Sequence, residues 1–226
     1  MPSTLIADFV QMGVGITGYA TTFFMPTILK EFGWTAESAQ VHTIPVYVVA
    51  AVGMLLAAWA SDRLRHRYGF VMLGVVLSTI GYAVLISQSS ADLSAGTKYA
   101  AVFLAALGGY INTPLALAWL SNNLSGHWKR AFGSAIQVTI GNLAGVVASN
   151  VFLVQEAPYY PTGYGVAIGM TWIGGLAATA LVLLLRRENR LRDRGLRGDG
   201  RYVLGGRSEE ELQNLGDAHP SFRFTL

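Results

Sequence analysis

Six apolar blocks fill most of the first 185 residues, and their length limits what this chain can fold into. Each block is about 19 to 25 residues long, which is the length that a helix needs to cross a hydrocarbon core of roughly 30 Å. None of them alternates between apolar and polar residues, as the strands of a membrane barrel would. The blocks lie at residues 5–29, 41–60, 68–86, 99–120, 131–154 and 164–185. We therefore predict an all-α integral membrane protein with six transmembrane helices.

The composition argues against a soluble protein. Of the 226 residues, 52% are hydrophobic and 13% are charged, whereas an ordinary soluble domain has about 25% charged residues. The chain has no cysteine, which removes disulfides, thiol nucleophiles and thiolate metal ligands. Its net charge of +3 arises from short basic clusters between the apolar blocks. The expected partner of these clusters is the lipid bilayer, and no nucleic acid is expected.

Basic residues follow every second block, which indicates the orientation of the chain in a membrane. The clusters are Arg63, Arg65 and Arg67 after the second block, Lys129 and Arg130 after the fourth, and five arginines in residues 186–194 after the sixth. Because Lys and Arg are retained on the cytoplasmic side, we expect both termini to be cytoplasmic. Residues 186–226 show no apolar periodicity and are predicted to form a basic, disordered cytoplasmic tail.

The loop after the second block has the compact charged sequence AWASDRLRHR at residues 58–67. It resembles the loop signature of the major facilitator superfamily, in which an Asp-Arg pair precedes further basic residues. Ser61, Asp62, Arg63 and Arg67 match this signature, whereas both of its glycines are replaced. The superfamily has its stronger copy of the loop in the N-terminal half and a weaker copy in the C-terminal half. The resemblance therefore implies a C-terminal half, with Asp62, Arg63 and Arg67 as a conformational switch.

A second resemblance is more specific. The runs FFMPTIL at residues 23–29, KRA at 129–131, GN at 141–142 and APYY at 157–160 look like helices and loops of the fungal anion:cation symporters, the allantoate permease family. This resemblance implies that residues 1–185 are one six-helix half, a 3+3 inverted repeat, of a major facilitator fold. It also implies transport of a small organic anion, such as a carboxylate or a vitamin-like solute, by alternating access at the plasma membrane. Proton or cation coupling would accompany transport, and no other cofactor is expected.

Polar and aromatic side chains inside the blocks are the candidates for contact with a substrate. Asn112, Gln137 and Asn142 are costly to expose to lipid, so each should face the bundle or a cavity. A hydrogen bond between helices is an equally good explanation for each of them. Tyr19 and Phe23 are weaker candidates, which would stack on a planar ligand or simply pack between helices.

No acidic residue lies in the middle of an apolar block. Asp8 is the nearest to this position, and it is close enough to the predicted cytoplasmic edge to be hydrated. A proton-coupled carrier usually needs a titratable group at membrane depth. We therefore expect that any coupling carboxylate or histidine lies in a partner half.

Enzyme signatures in the sequence fail on their context. Gly13, Gly15 and Gly18 satisfy a dinucleotide-binding pattern, but they lie inside an apolar block instead of between a strand and a helix. Helix packing is the better explanation of these glycines. The four histidines lack the spacing of metal ligands. The sequence therefore indicates neither an enzyme nor a metal site.

Two alternatives to a transporter half stay open at this point. In the first alternative, the chain is a truncated half-transporter. It then acts as a non-transporting membrane scaffold or sensor, or it is inactive unless another six-helix half joins it. Otherwise, two copies associate into a small homodimeric carrier with twelve helices. The expected protein partner is accordingly a missing N-terminal half or a second copy of the chain.

Overall fold

The structure is a computed structural model that describes residues 2–90, 93–194, 217, 219 and 222–226. Within these ranges the regular structure consists of six long α-helices and a short 3-10 turn, Val154–Glu156. The helices are α1 (Pro2–Glu31), α2 (Ala36–Leu64), α3 (Arg67–Ser87), α4 (Ala95–Asn123), α5 (His127–Val151) and α6 (Pro161–Asp193). The predicted all-α architecture of six helices is confirmed.

The helices α2 and α4 begin before their predicted blocks because capping side chains determine where they start. The Ser38 N–H donates to the Thr35 side chain at 3.3 Å, so α2 begins five residues before its apolar block. Ser94 caps α4 in the same way. Helix α6 continues to Asp193, beyond the boundary at residue 185 that hydropathy predicts. The predicted disorder of residues 195–216 concerns a stretch outside the described residues.

Helices α2 to α6 are long and apolar enough to cross a membrane, by length and composition. Helix α1 is not among these candidate spans. It contains several buried polar side chains, among them Asp8, Gln11, Thr17 and Thr21. It packs against α2, α4, α5 and α6, so much of its surface faces other helices. The five spans make the chain a multi-pass membrane protein.

The helix pairs repeat between the two halves of the bundle. Helix α1 packs mainly against α6 and α5, and α4 packs in the corresponding way against α3 and α2. Exchanging α1–α3 with α4–α6 therefore reproduces the main contacts, which is the pattern of a 3+3 repeat. The central helices α1 and α4 each contain a proline in their second half, Pro26 and Pro114. This repeat places α1, α2, α4 and α5 around one face of the bundle.

Candidate functional site

An open cavity of about 420 Å³ lies between α1, α2, α4 and α5. Its volume is within the range of small-molecule sites, roughly 300 to 1,000 Å³. It is lined by Gln11, Gly15, Gly18, Tyr19 and Thr22 from α1, Met54 from α2, Tyr110, Thr113, Pro114 and Leu117 from α4, and Val138, Gly141 and Asn142 from α5. The cavity therefore draws on both three-helix repeats.

The cavity wall combines aromatic rings with neutral hydrogen-bonding groups. The Tyr19 hydroxyl donates to Asn142 Oδ1 at 2.5 Å, which joins α1 to α5. The hydroxyls of Thr22 and Tyr110 lie 3.0 Å apart and join α1 to α4. No charged side chain occurs among the described lining residues. Such a wall suits a flat polar molecule, through stacking and hydrogen bonds to its edges.

Two of the five predicted substrate contacts line this cavity. Tyr19 and Asn142 do so, and they also bind each other. Phe23 lies one turn along α1, outside the lining, with its ring centroid 5.9 Å from that of Tyr19. Its side chain is half-exposed, and it extends the aromatic surface of the cavity.

The other two predicted contacts are buried away from the cavity. Gln137 Nε2 donates to the Ala116 carbonyl at 3.1 Å, a hydrogen bond between α5 and α4. Asn112 is fully buried against Gly74 of α3, and neither polar atom of its amide has a hydrogen-bond partner among the described residues. Gln137 therefore makes the bond between helices that the sequence left open as an alternative, whereas Asn112 is buried without such a bond. Substrate contact by either residue would need a rearrangement of the helices.

Sequence reasoning missed the α1 lining that accompanies Tyr19. Gln11, Gly15, Gly18 and Thr22 line the cavity together with it. The spacing of these five residues is that of one helix face, which is a signal in the sequence itself. Gln11 is the informative member, because it is buried and its Oε1 atom has no partner among the described residues.

Asp8 is buried among the helices, although its position in the sequence suggested a hydrated site. Its side chain is 2% exposed, and neither carboxyl oxygen has a hydrogen-bond partner among the described residues. The packing of α1 against neighbouring helices buries it, an effect that distance from a predicted membrane edge does not report. Asp8 lies one turn before Gln11 on the same helix, close to the cavity wall.

The predicted switch loop forms an ion pair at the start of α3. Asp62 and Arg67 pair directly, and Arg67 also donates to the Ser61 hydroxyl. Arg65 adopts a left-handed conformation, with a φ of 51°, and this ends α2. Arg63 points elsewhere, with its guanidinium 5.9 Å from the centre of the Trp59 ring. The structure therefore joins two of the three predicted switch residues.

Comparison with known proteins gives the family. The Major Facilitator Superfamily matches residues 7–217, so the chain belongs to this superfamily of membrane transporters. No solved structure gives a significant match.

The similar curated proteins are fungal and are named as transporters. An uncharacterised transporter of Schizosaccharomyces pombe is 31% identical over 225 residues, which is all of this chain and 43% of the relative. The MFS-type transporter cnsO of Penicillium expansum is 33% identical over 95% of the chain and 41% of its own length. The high-affinity nicotinic acid transporter of Saccharomyces cerevisiae is 27% identical over 78% of the chain and 32% of its own length. The chain thus spans less than half the length of these relatives.

Proposed function

We propose that the chain is the C-terminal half of a transporter that carries a small organic anion by alternating access. The observation that carries this proposal is the cavity on the face of α1, α2, α4 and α5, with Tyr19 and Asn142 joined across it. In this fold, two halves rock against each other around a binding site that lies between them, and this motion transports the substrate. The similarity to a nicotinic acid transporter supports an aromatic carboxylate or a related vitamin-like solute as cargo, as does the likeness to the allantoate permease family.

The neutral wall divides the work of recognition between two halves. Aromatic rings and amides of this half would hold the ring and the polar edge of the cargo. A carboxylate needs a cationic or strongly donating partner, and the described lining residues supply no cation. We therefore place the cation that binds the carboxylate on a complementary half, either an N-terminal six-helix domain or a second copy of this chain.

Proton coupling is assigned in this proposal to Asp8. An ionisable side chain buried inside the helix bundle of a membrane protein is a candidate for an ion or proton pathway. Asp8 fits because it is buried and makes no ion pair among the described residues, and because Gln11, one turn on, lines the cavity. This replaces the expectation that the coupling group lies in the partner half. Both termini are placed in the cytoplasm and the protein in the plasma membrane, as the loop charges and the family resemblance suggest.

Uptake of labelled nicotinate and other organic anions tests the proposal. The chain is expressed alone and together with a complementary six-helix half, and insertion is verified in the same cells. We expect saturable uptake, with kcat/KM lowered about tenfold by Asn142→Ala, the loss that corresponds to one hydrogen bond of roughly 1 to 1.5 kcal/mol. Asn150→Ala is the matched control, because Asn150 lies on the same helix and, among the described residues, bonds only to Val146 and Ser149.

Two results would contradict the proposal. If inserted protein gives no uptake with either partner arrangement, the scaffold or sensor alternative is favoured. If Asn142→Ala and Asn150→Ala lower uptake equally, the cavity is not the transport site.

A further inference from the structure

Residues 222–226 lie across one end of the helix bundle, in the part of the chain that hydropathy predicts to be a disordered tail. We call these five residues the strap. The end of the bundle that they cross is formed by the loop at residues 62–67, the last turn of α4 and the last turns of α6. Most of the basic residues of the chain occur at this end, so we call it the basic end.

Two asparagines from different helices bind the backbone of the strap. Asn123, at the end of α4, accepts from the Thr225 N–H at 2.7 Å and donates to the Thr225 carbonyl at 3.1 Å. Asn189 of α6 accepts from the Phe224 N–H and donates to the Phe224 carbonyl, both at 2.9 Å. Each amide thus pairs with both backbone groups of one residue, as a neighbouring strand would. Such pairing recognises an extended peptide.

Side chains of the strap fit the same groove. The guanidinium of Arg192 lies 4.7 Å from the centre of the Phe224 ring, a cation–π contact. Phe224 and Leu226 pack against the apolar cluster that contains Trp119. The Trp119 indole N–H donates to the Thr225 carbonyl at 2.9 Å. The groove therefore contacts the strap through its backbone and through two apolar side chains.

Two basic residues from the clusters that predict membrane orientation, Arg192 and Lys129, bind residues at the start of the strap or shortly before it. Arg192 donates to the carbonyls of Asp217, His219 and Phe222 at 3.0 to 3.2 Å. Lys129, at the start of α5, pairs with the Asp217 carboxylate at 2.5 Å. These are directed contacts to named atoms, whereas attraction to anionic lipid would require no defined partner.

The strap also contacts the start of α3 beside the switch loop. The Arg67 N–H donates to the Leu226 carbonyl at 2.6 Å, and the Arg67 side chain pairs with Asp62. An open space of about 630 Å³ between loop and strap is lined by His66 on one side and by Phe224 and Thr225 on the other. One short segment therefore connects the ends of α3, α4 and α6.

We propose that the basic end contains a recognition groove for an extended peptide, that residues 222–226 of the same chain occupy it, and that the bound strap holds the 62–67 loop in its paired arrangement. Release of the strap would free the Arg67 N–H and loosen the loop. Because the strap is tethered to the bundle, its local concentration at the groove is high. The groove is separate from the cavity, so this proposal does not depend on the identity of any transported molecule.

Thiol labelling tests the proposal without a transport assay. The chain has no cysteine, so Thr225→Cys and His66→Cys each introduce a single reporter, one on the strap and one on the loop. The full-length chain in lipid nanodiscs is treated with a maleimide, with and without the pair Asn123→Ala and Asn189→Ala. Each asparagine makes two bonds to the strap, so we expect the pair to speed labelling of both reporters by at least about tenfold. Asn150→Ala is the control, because Asn150 lies at the far end of α5 and bonds to Val146 and Ser149 of the same helix.

The possible outcomes separate cleanly. Equal labelling of Thr225→Cys with and without the two asparagines would overturn the groove. Faster labelling of the strap with no change at His66→Cys would overturn its hold on the loop. If the asparagine pair prevents folding, hydrogen exchange of the unsubstituted chain decides. The amides of Phe224 and Thr225 should then be protected, and exchange at the rate of a free peptide would refute docking.

Discussion

Helices α1 and α6 approach each other closely at two glycines, Gly13 and Gly174. A Cβ atom added at Gly13 would lie 2.5 Å from the Gly174 backbone and 2.7 Å from the Met170 carbonyl oxygen. Backbone atoms cannot move aside as a flexible side chain can, so Gly13→Ala should cost about 1 to 3 kcal/mol of unfolding free energy. Gly165→Ala on α6 should leave stability nearly unchanged, since its Cβ would meet nothing within 4 Å. Thermal unfolding of the purified variants in detergent checks both, and equal stability would show that the two helices do not approach as described.

A single carboxyl group accounts for coupling in the proposed mechanism. Asp8→Asn keeps the size of the side chain but removes its ability to carry a proton. We expect this variant to exchange organic anion across the membrane while losing accumulation driven by a proton gradient. Glu156→Gln, in the loop between α5 and α6, should retain gradient-driven accumulation. Transport in proteoliposomes with and without an imposed pH gradient measures the difference, and proton-driven accumulation by Asp8→Asn would exclude this role.

Helix α5 has one buried amide, Gln137, and one amide that faces the cavity, Asn142. Substituting each in turn distinguishes a contribution to helix packing from a contribution to transport. Gln137 bonds to the Ala116 carbonyl of α4, so Gln137→Leu should lower the unfolding free energy by about 1 to 2 kcal/mol. Asn142 faces the cavity and accepts from the Tyr19 hydroxyl at an exposed position, so Asn142→Ala should lower it by only about 0.6 kcal/mol while reducing uptake. Chemical unfolding and uptake are measured on the same preparations. The reverse assignment, with Gln137→Leu stable but inactive, would place the transport path on the other face of α5.

The positions of the helices could be predicted from the sequence. Which side of each helix faces the cavity and which side faces another helix could not. Hydropathy locates six helices because lipid demands long apolar segments. It does not distinguish a side chain that faces a cavity from one that faces another helix, since both are shielded from lipid. For this reason Asn142 and Gln137 look alike in the sequence and differ in the structure. The α1 face from Gln11 to Thr22 has the periodicity of a lining, and a helical projection of the polar and small residues would have found it.

The strap shows a different limit of sequence reasoning. Its sequence, Phe-Arg-Phe-Thr-Leu, has neither the length of a span nor the periodicity of a helix. The strap is held by the amides of Asn123 and Asn189. Asn123 precedes its partner Thr225 by 102 residues, and Asn189 precedes its partner Phe224 by 35 residues. Long-range pairing of this kind leaves no local pattern. Tertiary structure is needed to see it.

At the scale of the whole molecule, one face of the six-helix bundle differs from the others because it contains the cavity. Helices α1, α2, α4 and α5 surround a cavity with a neutral wall, while the basic residues gather at one end of the bundle. A complementary half on the cavity face would enclose the site and supply the missing positive charge. We therefore propose that the cavity binds an organic anion.

Protection of one thiol in the cavity wall tests this claim most directly. Val138→Cys supplies a reporter on the lining, and Ser90→Cys supplies a control in the exposed loop after α3. Each is labelled with a small thiol reagent in membranes that contain the chain and its complementary half, with and without excess nicotinate or another transported anion. We expect the anion to slow labelling of Val138→Cys in proportion to the occupied fraction of the site, and to leave Ser90→Cys unaffected. Equal labelling of Val138→Cys with and without an anion that the same membranes transport would contradict the claim.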